Sequence, residues 1–322
     1  MSEPSSENGG RGPLVIWKFN DGLRGHENQS SGLIEALARE TEVRSYVLSV
    51  PRGVGQLRVF WRLLFGTHYR DWPAPDLLIG VGHSTHLPLV VARRTRGGRS
   101  VVVMAPSLPA RWFDLVICPN HDRIPDTANV LVTRGALNRS RNGSGKNSSE
   151  GLILIGGPDR YYGWSADELT AQIEQILKRS PEVHWMAASS RRTPGELLAH
   201  LDRLGAPNLS TFAVEDVNVD WLPGKLARAA TVWVTEDSVS MIHEAITAGA
   251  ATGLLAVPRL KSPAASATRW FEEGVGTLLA DSMATSFDDW EAGRALTPTA
   301  RPLDEAQRCG DFILDEWFRT PC

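Results

Sequence analysis

The sequence predicts an α/β protein made of two successive arrays of alternating strands and helices. Short apolar runs suited to buried strands alternate with segments whose apolar residues recur at helical spacing. A stretch of Ser, Asn and Gly with no apolar residue, at 138–150, separates the two arrays and is typical of a linker. The length of 322 residues also suits two domains of ordinary size.

These observations predict the order of the domains along the chain. We expect a disordered start at 1–13, a first domain at 14–137, the linker at 138–150, a second domain at 151–300 and a C-terminal helix at 301–322. Packing of the C-terminal helix back on the first domain is one arrangement that this order allows.

The composition describes a globular protein, with 42% hydrophobic and 22% charged residues. No apolar run reaches the roughly 18 residues of a membrane span, and the polar start lacks the apolar core of a signal peptide. We therefore expect a cytoplasmic protein. Three widely separated cysteines, Cys118, Cys309 and Cys322, form neither a disulfide framework nor a metal-binding spacing.

The net charge of −3 hides an asymmetry between the two halves of the chain. Residues 1–146 carry 19 Lys and Arg against 12 Asp and Glu, whereas the remainder carries 15 against 25. A basic first half fits an anionic acceptor or a peripheral contact with the inner face of an anionic membrane. Because the positive charges are scattered rather than clustered, a nucleic-acid partner is not expected.

The first strand, Leu14 to Phe19, is followed by a turn that is unusually rich in polar side chains. In a βαβ arrangement this turn lies at the carboxyl edge of the sheet, where ligands bind. His26 is the histidine of this turn, and an unperturbed imidazole is suited to proton transfer near neutral pH. The alternative is that His26 or Asn28 caps the following helix. The polar residues of the turn are Asp21, His26, Glu27, Asn28 and Gln29.

The segment from Gly55 to Trp72 combines bulky apolar residues at helical spacing with several arginines. Such a helix either lies in the headgroup region of a membrane or packs on the core with its arginines outside. Histidines also follow two later strands, at His83 and His86 and at His121. They lack the close spacing of metal ligands, so no metal site is expected.

In the second array, Gly156 and Gly157 follow the strand that begins at Leu152, and they allow close backbone approach to a ligand or form a plain tight turn. Arg191 and Arg192 follow the next strand, where they suit a phosphate or a nucleotide base, or are simply exposed. Ser165 to Glu168 forms a capping box that predicts a helix start.

The stretch from Trp233 to Pro258 predicts a strand, a turn, a helix ended by Gly249, and another strand. Free N–H groups at the helix start would bind a diphosphate, with Ser238 and Ser240 as additional donors. Glu244 lies further along the helix, where its carboxylate could accept both hydroxyls of a ribose. Alternatively, Asp237 or Ser238 is an ordinary N-cap and Glu244 is a solvated carboxylate.

Several catalytic motifs are missing from the sequence. It contains no GxxxxGK[ST] phosphate loop, no GxSxG nucleophile elbow, no HExxH zinc motif and no DxD pair. A P-loop kinase, a serine hydrolase and a zinc protease are therefore disfavoured. What remains is an α/β protein with loops in both halves that suit a substrate held between them.

Three motifs in this order carry a family resemblance: GHENQ at 25–29, SRRTP at 190–194 and TEDSVSM at 235–241. The chain resembles the mitochondrial-fission-protein-like family of GT-B glycosyltransferases, named after a plant mitochondrial elongation factor. The resemblance implies two Rossmann-like domains facing across a cleft, with the acceptor toward the first and the nucleotide-sugar donor toward the second. It also implies that neither a metal nor a cofactor is needed beyond the nucleotide-diphosphate sugar.

The donor helix is similar to that of GT-B enzymes that add N-acetylglucosamine to lipid-linked peptidoglycan precursors. In those enzymes a glutamate followed five residues later by glycine, as in Glu244 and Gly249, holds the ribose. Asp237 and Ser238 stand where a Ser-Gly pair is usual, and Met241 stands where threonine is usual. Asp237 would repel a diphosphate unless a nearby arginine or solvent compensates for its charge.

The resemblance thus implies a glycosyltransferase that acts on an envelope or surface-polysaccharide acceptor, either a glycan or a lipid-linked glycan. His26 or Asp21 is expected to act as the base. The donor-binding set is Gly156, Gly157, Arg191, Arg192, Ser238, Ser240 and Glu244, and the acceptor-side set is Glu27, Asn28, Gln29 and His121. The alternatives are a non-catalytic interaction protein, as the plant relatives suggest, and a nucleotide-sugar-binding regulator.

Overall fold

The structure is a computed structural model that describes residues 12–51, 53, 55–65, 69, 71–120, 127–143, 145–260, 272–300 and 303–319, without the side chains of 55–57, 65, 272 and 273. The chain divides into two compact units, one comprising 1–138 with 305–322 and the other comprising 139–304. The predicted disordered start falls outside the described residues, except for Gly12 and Pro13.

The first unit contains six parallel strands and their connecting helices. In chain order these are β1 (Leu14–Asn20), α1 (Arg24–Glu40), β2 (Val43–Ser49), α2 (Gly55–Phe65), β3 (Leu77–Val81), α3 (His83–Arg96), β4 (Arg99–Val103), β5 (Leu115–Pro119) and β6 (Val130–Thr133). The sheet order is β2-β1-β3-β4-β5-β6. Helices cover both faces of the central strands, and all five residues of β3 are buried as a result.

The second unit also contains a six-stranded parallel sheet. Its elements are β7 (Asn147–Leu154), α4 (Ala166–Arg179), β8 (His184–Ala188), α5 (Glu196–Arg203), β9 (Leu209–Phe212), α6 (Trp221–Arg228), β10 (Ala229–Thr235), α7 (Val239–Thr247), β11 (Ala251–Leu255), α8 (Thr277–Ala280), β12 (Thr285–Ser286) and α9 (Phe287–Glu291). The sheet order is β12-β11-β10-β7-β8-β9. The predicted cap of α4 is confirmed, because Ser165 Oγ accepts the Glu168 N–H at 3.3 Å.

The last helix, α10 (Glu305–Trp317), belongs to the first unit. Its Cys309 and Ile313 are buried in the same cluster as Leu33 and Leu37 of α1. A Cβ placed on Gly310 would lie 3.3 Å from the Cβ of Ala36, so a glycine permits this close approach of α10 to α1. The C-terminal helix therefore packs on the first unit.

Three predicted boundaries differ from the structure. Strand β7 begins at Asn147, inside the predicted linker, because Asn147 pairs with Ala229 of β10. Helix α2 ends at Phe65 rather than continuing to Trp72. The sequence predicts a short helix from Gly224 to Ala230, after a turn that contains a proline, but helix α6 begins at Trp221, because a proline is tolerated in the first turn of a helix.

Both sheets reverse their strand order at one point, and this reversal positions the candidate sites. In the first unit the reversal lies between β1 and β3, and in the second it lies between β7 and β10. In open parallel sheets, ligands bind beside the carboxyl ends of the strands at such a point. The predicted site residues that the structure describes follow β1, β7, β8 and β10.

Candidate functional site

In the first unit, Asp21 and His26 form a hydrogen-bonded pair beside the reversal point. Asp21 follows β1, its side chain is only 3% exposed, and its Oδ2 lies 3.0 Å from Nδ1 of His26. Ser84 Oγ donates to the same oxygen at 3.2 Å, and the Leu23 N–H donates to Oδ1 at 3.1 Å. These donors fix the orientation of the carboxylate toward the imidazole.

The charge on Asp21 is stabilised by its surroundings. Burial raises the pKa of Asp21, but hydrogen bonds from Leu23 and Ser84 and the interactions with His26 outweigh that effect, and the pKa lies below its usual value. An ionised Asp21 can only accept a hydrogen bond from His26 Nδ1–H, and in that tautomer Nε2 of the ring is an acceptor. The imidazole retains 19% exposure and has the arrangement of a general base oriented by a carboxylate.

Gly82 makes room for the His26 ring. This residue lies between β3 and α3 with φ of +85°, and a Cβ there would lie 2.5 Å from Nδ1 of His26. A left-handed backbone and the absence of a side chain are both required at this position. The capping alternative for His26 and Asn28 is wrong, because the N-cap of α1 is Leu23 and both residues lie inside the helix.

The structure separates the other acceptor-side residues. Glu27 is exposed, with Oε1 at 3.9 Å from Nζ of Lys18, and Asn28 is partly buried. Gln29 is buried, and its Nε2 lies 3.6 Å from the sulfur of Met104. His121 lies outside the described residues.

Sequence reasoning assigned no role to His86, which lies buried in the first turn of α3. Its Nδ1 accepts the Ser107 N–H at 3.2 Å, so the ring proton is on Nε2. Nε2 is buried and has no hydrogen-bond partner among the described residues. Burial, together with His83 and His26, lowers the pKa of His86 to about 4, so the ring is neutral near pH 7. Its position at the start of the helix that follows β3 is the sequence signal that could have identified it.

In the second unit, three loops at the carboxyl edge of the sheet are joined by hydrogen bonds. The loop after β7 contains Gly156 and Gly157, the loop after β8 contains Ser190, and β10 ends at Thr235. Thr235 Oγ1 accepts the Gly156 N–H at 2.8 Å, and Ser190 Oγ donates to the Gly156 carbonyl at 2.9 Å. Gly156 is thus held between the end of β10 and the loop that follows β8.

Asp237 and Arg192 complete this set of contacts. The side chain of Asp237 is 1% exposed, and its Oδ2 accepts from the Gly157 N–H at 2.9 Å and from Arg192 Nη2 at 2.8 Å. Arg192 also donates to the Gly157 carbonyl at 2.6 Å. The repulsion expected from Asp237 is therefore offset by Arg192, one of the arginines that the sequence offered for this purpose. Arg191 is exposed.

Helix α7 begins immediately after these loops. Ser238 occupies the N-cap position and is buried, but its side chain makes no capping hydrogen bond. Ser238 is therefore the N-cap residue, as the alternative interpretation had it, but without the side-chain hydrogen bond of an ordinary cap. Ser240 is exposed and Glu244 is partly buried. The first backbone N–H groups of a helix have no partner within the helix, so an anion can bind them.

A second ion pair at this edge was not found from the sequence. Glu236 is buried, and its Oε2 lies 3.4 Å from Nη2 of Arg259, which follows β11. Burial raises the pKa of Glu236, with Arg259 opposing the rise only in part. The signal in the sequence is the acidic dipeptide at the end of β10, but its partner lies 23 residues later.

Two further findings bear on ligands and membranes. Within the described part of the chain, no group of three or more His, Cys, Asp or Glu side chains is arranged to hold a metal ion. None of the helices described is both long enough and apolar enough to cross a membrane.

Comparison with solved structures identifies the fold. MurG of Acinetobacter baumannii superposes with a TM-score of 0.51 at 14% identity, over 95% of this chain and 99% of that one. UDP-GlcNAc 2-epimerase of Methanocaldococcus jannaschii gives 0.60 at 12% identity, over 94% and 100%. The UDP-GlcNAc 2-epimerase of Neisseria meningitidis, solved bound to UDP-GlcNAc, gives 0.54 at 10% identity, over 94% and 98%. The two parallel six-stranded sheets are those of the GT-B fold, as the sequence predicted.

The sequence comparisons address the family. No curated protein matches the chain. A family model described as mitochondrial fission ELM1 matches residues 24–317, which include all three motifs that carried the resemblance. The chain belongs to the mitochondrial fission ELM1 family.

Proposed function

We propose that the protein is a glycosyltransferase that moves a sugar from a nucleotide-diphosphate donor to an envelope or surface-polysaccharide acceptor. The second unit would bind the donor and the first unit the acceptor. The observation that carries the proposal is the convergence of a glycine pair, Arg192 and a helix start at the strand reversal of the second sheet. A fold shared with proteins that act on UDP-GlcNAc supports it.

In the donor site, each group would recognise a different part of the ligand. The start of α7 offers backbone N–H groups to the diphosphate, with Ser238 and Ser240 as further donors, and the absence of side chains at Gly156 and Gly157 lets the ligand approach the loop closely. Arg191 is exposed beside them and would supply a positive charge. Glu244, one and a half turns along α7, would accept the ribose hydroxyls.

In the first unit, His26 would take the proton of the acceptor hydroxyl while Asp21 stabilises the resulting imidazolium. Glu27, Asn28 and Gln29 would contact a glycan or a lipid-linked acceptor, and we assign His121 to the same side. The proposed transfer uses neither a metal ion nor a further cofactor. Replacing Asp21 with Asn would keep the contact but remove its charge, and should lower turnover much more than donor binding.

A thermal-shift panel of UDP, GDP, CMP, ADP and dTDP tests the donor site. A nucleotide at 100 times its Kd stabilises the protein by about 2.7 kcal/mol. We expect at least one to raise the Tm of the wild type, and Glu244→Ala to abolish most of the rise. Glu174→Ala is the control, because Glu174 is on α4 and pairs only with Lys178 among the described residues. A panel without any shift would refute the donor site.

We also propose a peripheral contact with the cytoplasmic face of an anionic membrane. Helix α2 buries Val59 and Leu63, yet Trp61 is 52% exposed beside the exposed Arg62. An exposed indole among cations suits the headgroup region. Flotation with vesicles containing anionic lipid should recover the wild type and less of Trp61→Ser. Val219→Ser, which removes an exposed apolar residue of the second unit, should float like the wild type.

A non-catalytic interaction protein with a vestigial nucleotide-sugar site is the second candidate. The description of its family, mitochondrial fission, favours it. Such a protein would bind nucleotides weakly or not at all. It would also tolerate Asp21→Asn and Glu244→Ala without loss of function, whereas the transferase would not.

A further inference from the structure

The carboxylate of Asp237 occupies a position at which an anion would be expected to bind. Its Oδ2 accepts from the backbone N–H of Gly157 at 2.9 Å and from the guanidinium of Arg192 at 2.8 Å. Helix α7 begins at Val239, two residues after Asp237, and the helix dipole also favours negative charge at this end. Glycine N–H groups, an arginine and a helix start together form the usual set of ligands for phosphate.

The fit of this carboxylate is incomplete. Oδ1 of Asp237 is buried and has no hydrogen-bond partner among the described residues. A buried acceptor without a donor is unfavourable, particularly on a charged group. Displacing the carboxylate would remove this unpartnered acceptor, and a diphosphate carries more negative charge than one carboxylate for Arg192 and the start of α7 to stabilise.

The groups around Asp237 could serve a ligand instead. The side chain of Arg192 is 41% exposed, so its guanidinium can turn to a phosphate without first leaving a closed core. The glycine at position 156 leaves space at this point, since a Cβ there would overlap the Asp237 carboxylate. The same space is open to a ligand once the carboxylate moves.

We propose that Asp237 is an internal substitute for the donor phosphate, which a nucleoside diphosphate displaces when it binds. The inference rests on the proposed function, because it assumes that the donor binds in the second unit. In the absence of donor, the carboxylate holds Arg192 and the glycine loop in place. When donor binds, the phosphate takes over these contacts, and the carboxylate lowers the apparent affinity by competing for them.

Calorimetric titration of the full chain with UDP, inorganic pyrophosphate and uridine tests this competition. Asp237→Asn keeps the shape of the side chain but removes its charge. We expect it to bind UDP and pyrophosphate at least tenfold more tightly than the wild type, with uridine unchanged. The control is Glu182→Gln, which also removes one negative charge. Glu182 lies just before β8, at the amino ends of the strands and therefore away from the proposed donor site. It should bind all three like the wild type.

Equal or weaker UDP binding by a folded Asp237→Asn protein would overturn the inference while leaving the donor site intact. If neither protein binds UDP or pyrophosphate, the donor site itself fails and the inference fails with it. A crystal structure of the wild type with UDP gives an answer that does not depend on folding of the variant. The carboxylate should have left the Gly157 N–H, and a carboxylate still bonded there beside bound UDP would contradict the proposal.

Discussion

Arg191 and Arg192 are adjacent in sequence, yet the structure predicts very different consequences when each is replaced by alanine. Arg192 donates both to the buried carboxylate of Asp237 and to the carbonyl of Gly157. Arg191 is exposed, and no hydrogen bond or ion pair of its side chain is found among the described residues. The two substitutions remove the same side chain from the same loop, so each serves as the control for the other.

The expected loss of stability depends on the buried Asp237 carboxylate, which stays in place when the Arg192 side chain is removed. Removing one partner of a buried charge pair costs about 3–5 kcal/mol, and removing a hydrogen bond to a charged group costs about 1.5–3 kcal/mol. Because Arg192 is 41% exposed, water can replace part of its effect, and we expect a loss of about 2 kcal/mol. Arg191→Ala should change the free energy of unfolding by less than about 0.5 kcal/mol.

Urea unfolding followed by the fluorescence of Trp185 and Trp233, both buried in the second unit, measures these changes. The double variant Arg192→Ala with Asp237→Asn should recover part of the loss, because the unpaired charge is then absent. Equal stabilities of the two single variants, or a double variant no more stable than Arg192→Ala, would refute the assigned pairing.

Two further predictions concern the first unit. Gly82→Ala and Gly97→Ala each place a side chain at a residue with positive φ, which should lower the free energy of unfolding by about 1 kcal/mol. Only Gly82→Ala also brings a Cβ against His26, so it should lose more stability than Gly97→Ala and should lose activity as well. Equal losses of stability in urea unfolding would contradict this. His86, with a pKa of about 4 in the folded protein and about 6.5 when unfolded, should make stability fall as the pH drops from 6.5 toward 4, because the unfolded state binds the proton more readily. Between pH 6.5 and 5 this amounts to about 1.6 kcal/mol, and urea unfolding of His86→Asn should lack that part of the dependence.

The strands were the most predictable elements. Runs such as Leu77–Val81 are buried on both faces, and an uninterrupted apolar run is the direct sequence signature of that environment. The start of β7 was not predictable, because the polar residues from Asn147 are held in the strand by pairing with β10, which lies some 80 residues away. Local composition contains no information about such a partner.

The candidate site also contains features that the sequence predicted and features that it could not predict. The sequence identified Asp21, His26 and Asp237 because polar residues clustered directly after buried strands. It could not determine that Arg192 rather than Arg191 pairs with Asp237, since that choice depends on contacts between loops 45 residues apart. It also assigned no role to His86, whose tautomer is set by Ser107, on the loop after the neighbouring strand β4.

The most direct test of the central claim is a crystal structure of the protein with the nucleoside diphosphate that stabilises it most. The account predicts the diphosphate beside Gly156, Gly157 and the start of α7, with the ribose hydroxyls on Glu244. A nucleotide bound elsewhere in the chain, or a ribose with no contact to Glu244, would contradict it.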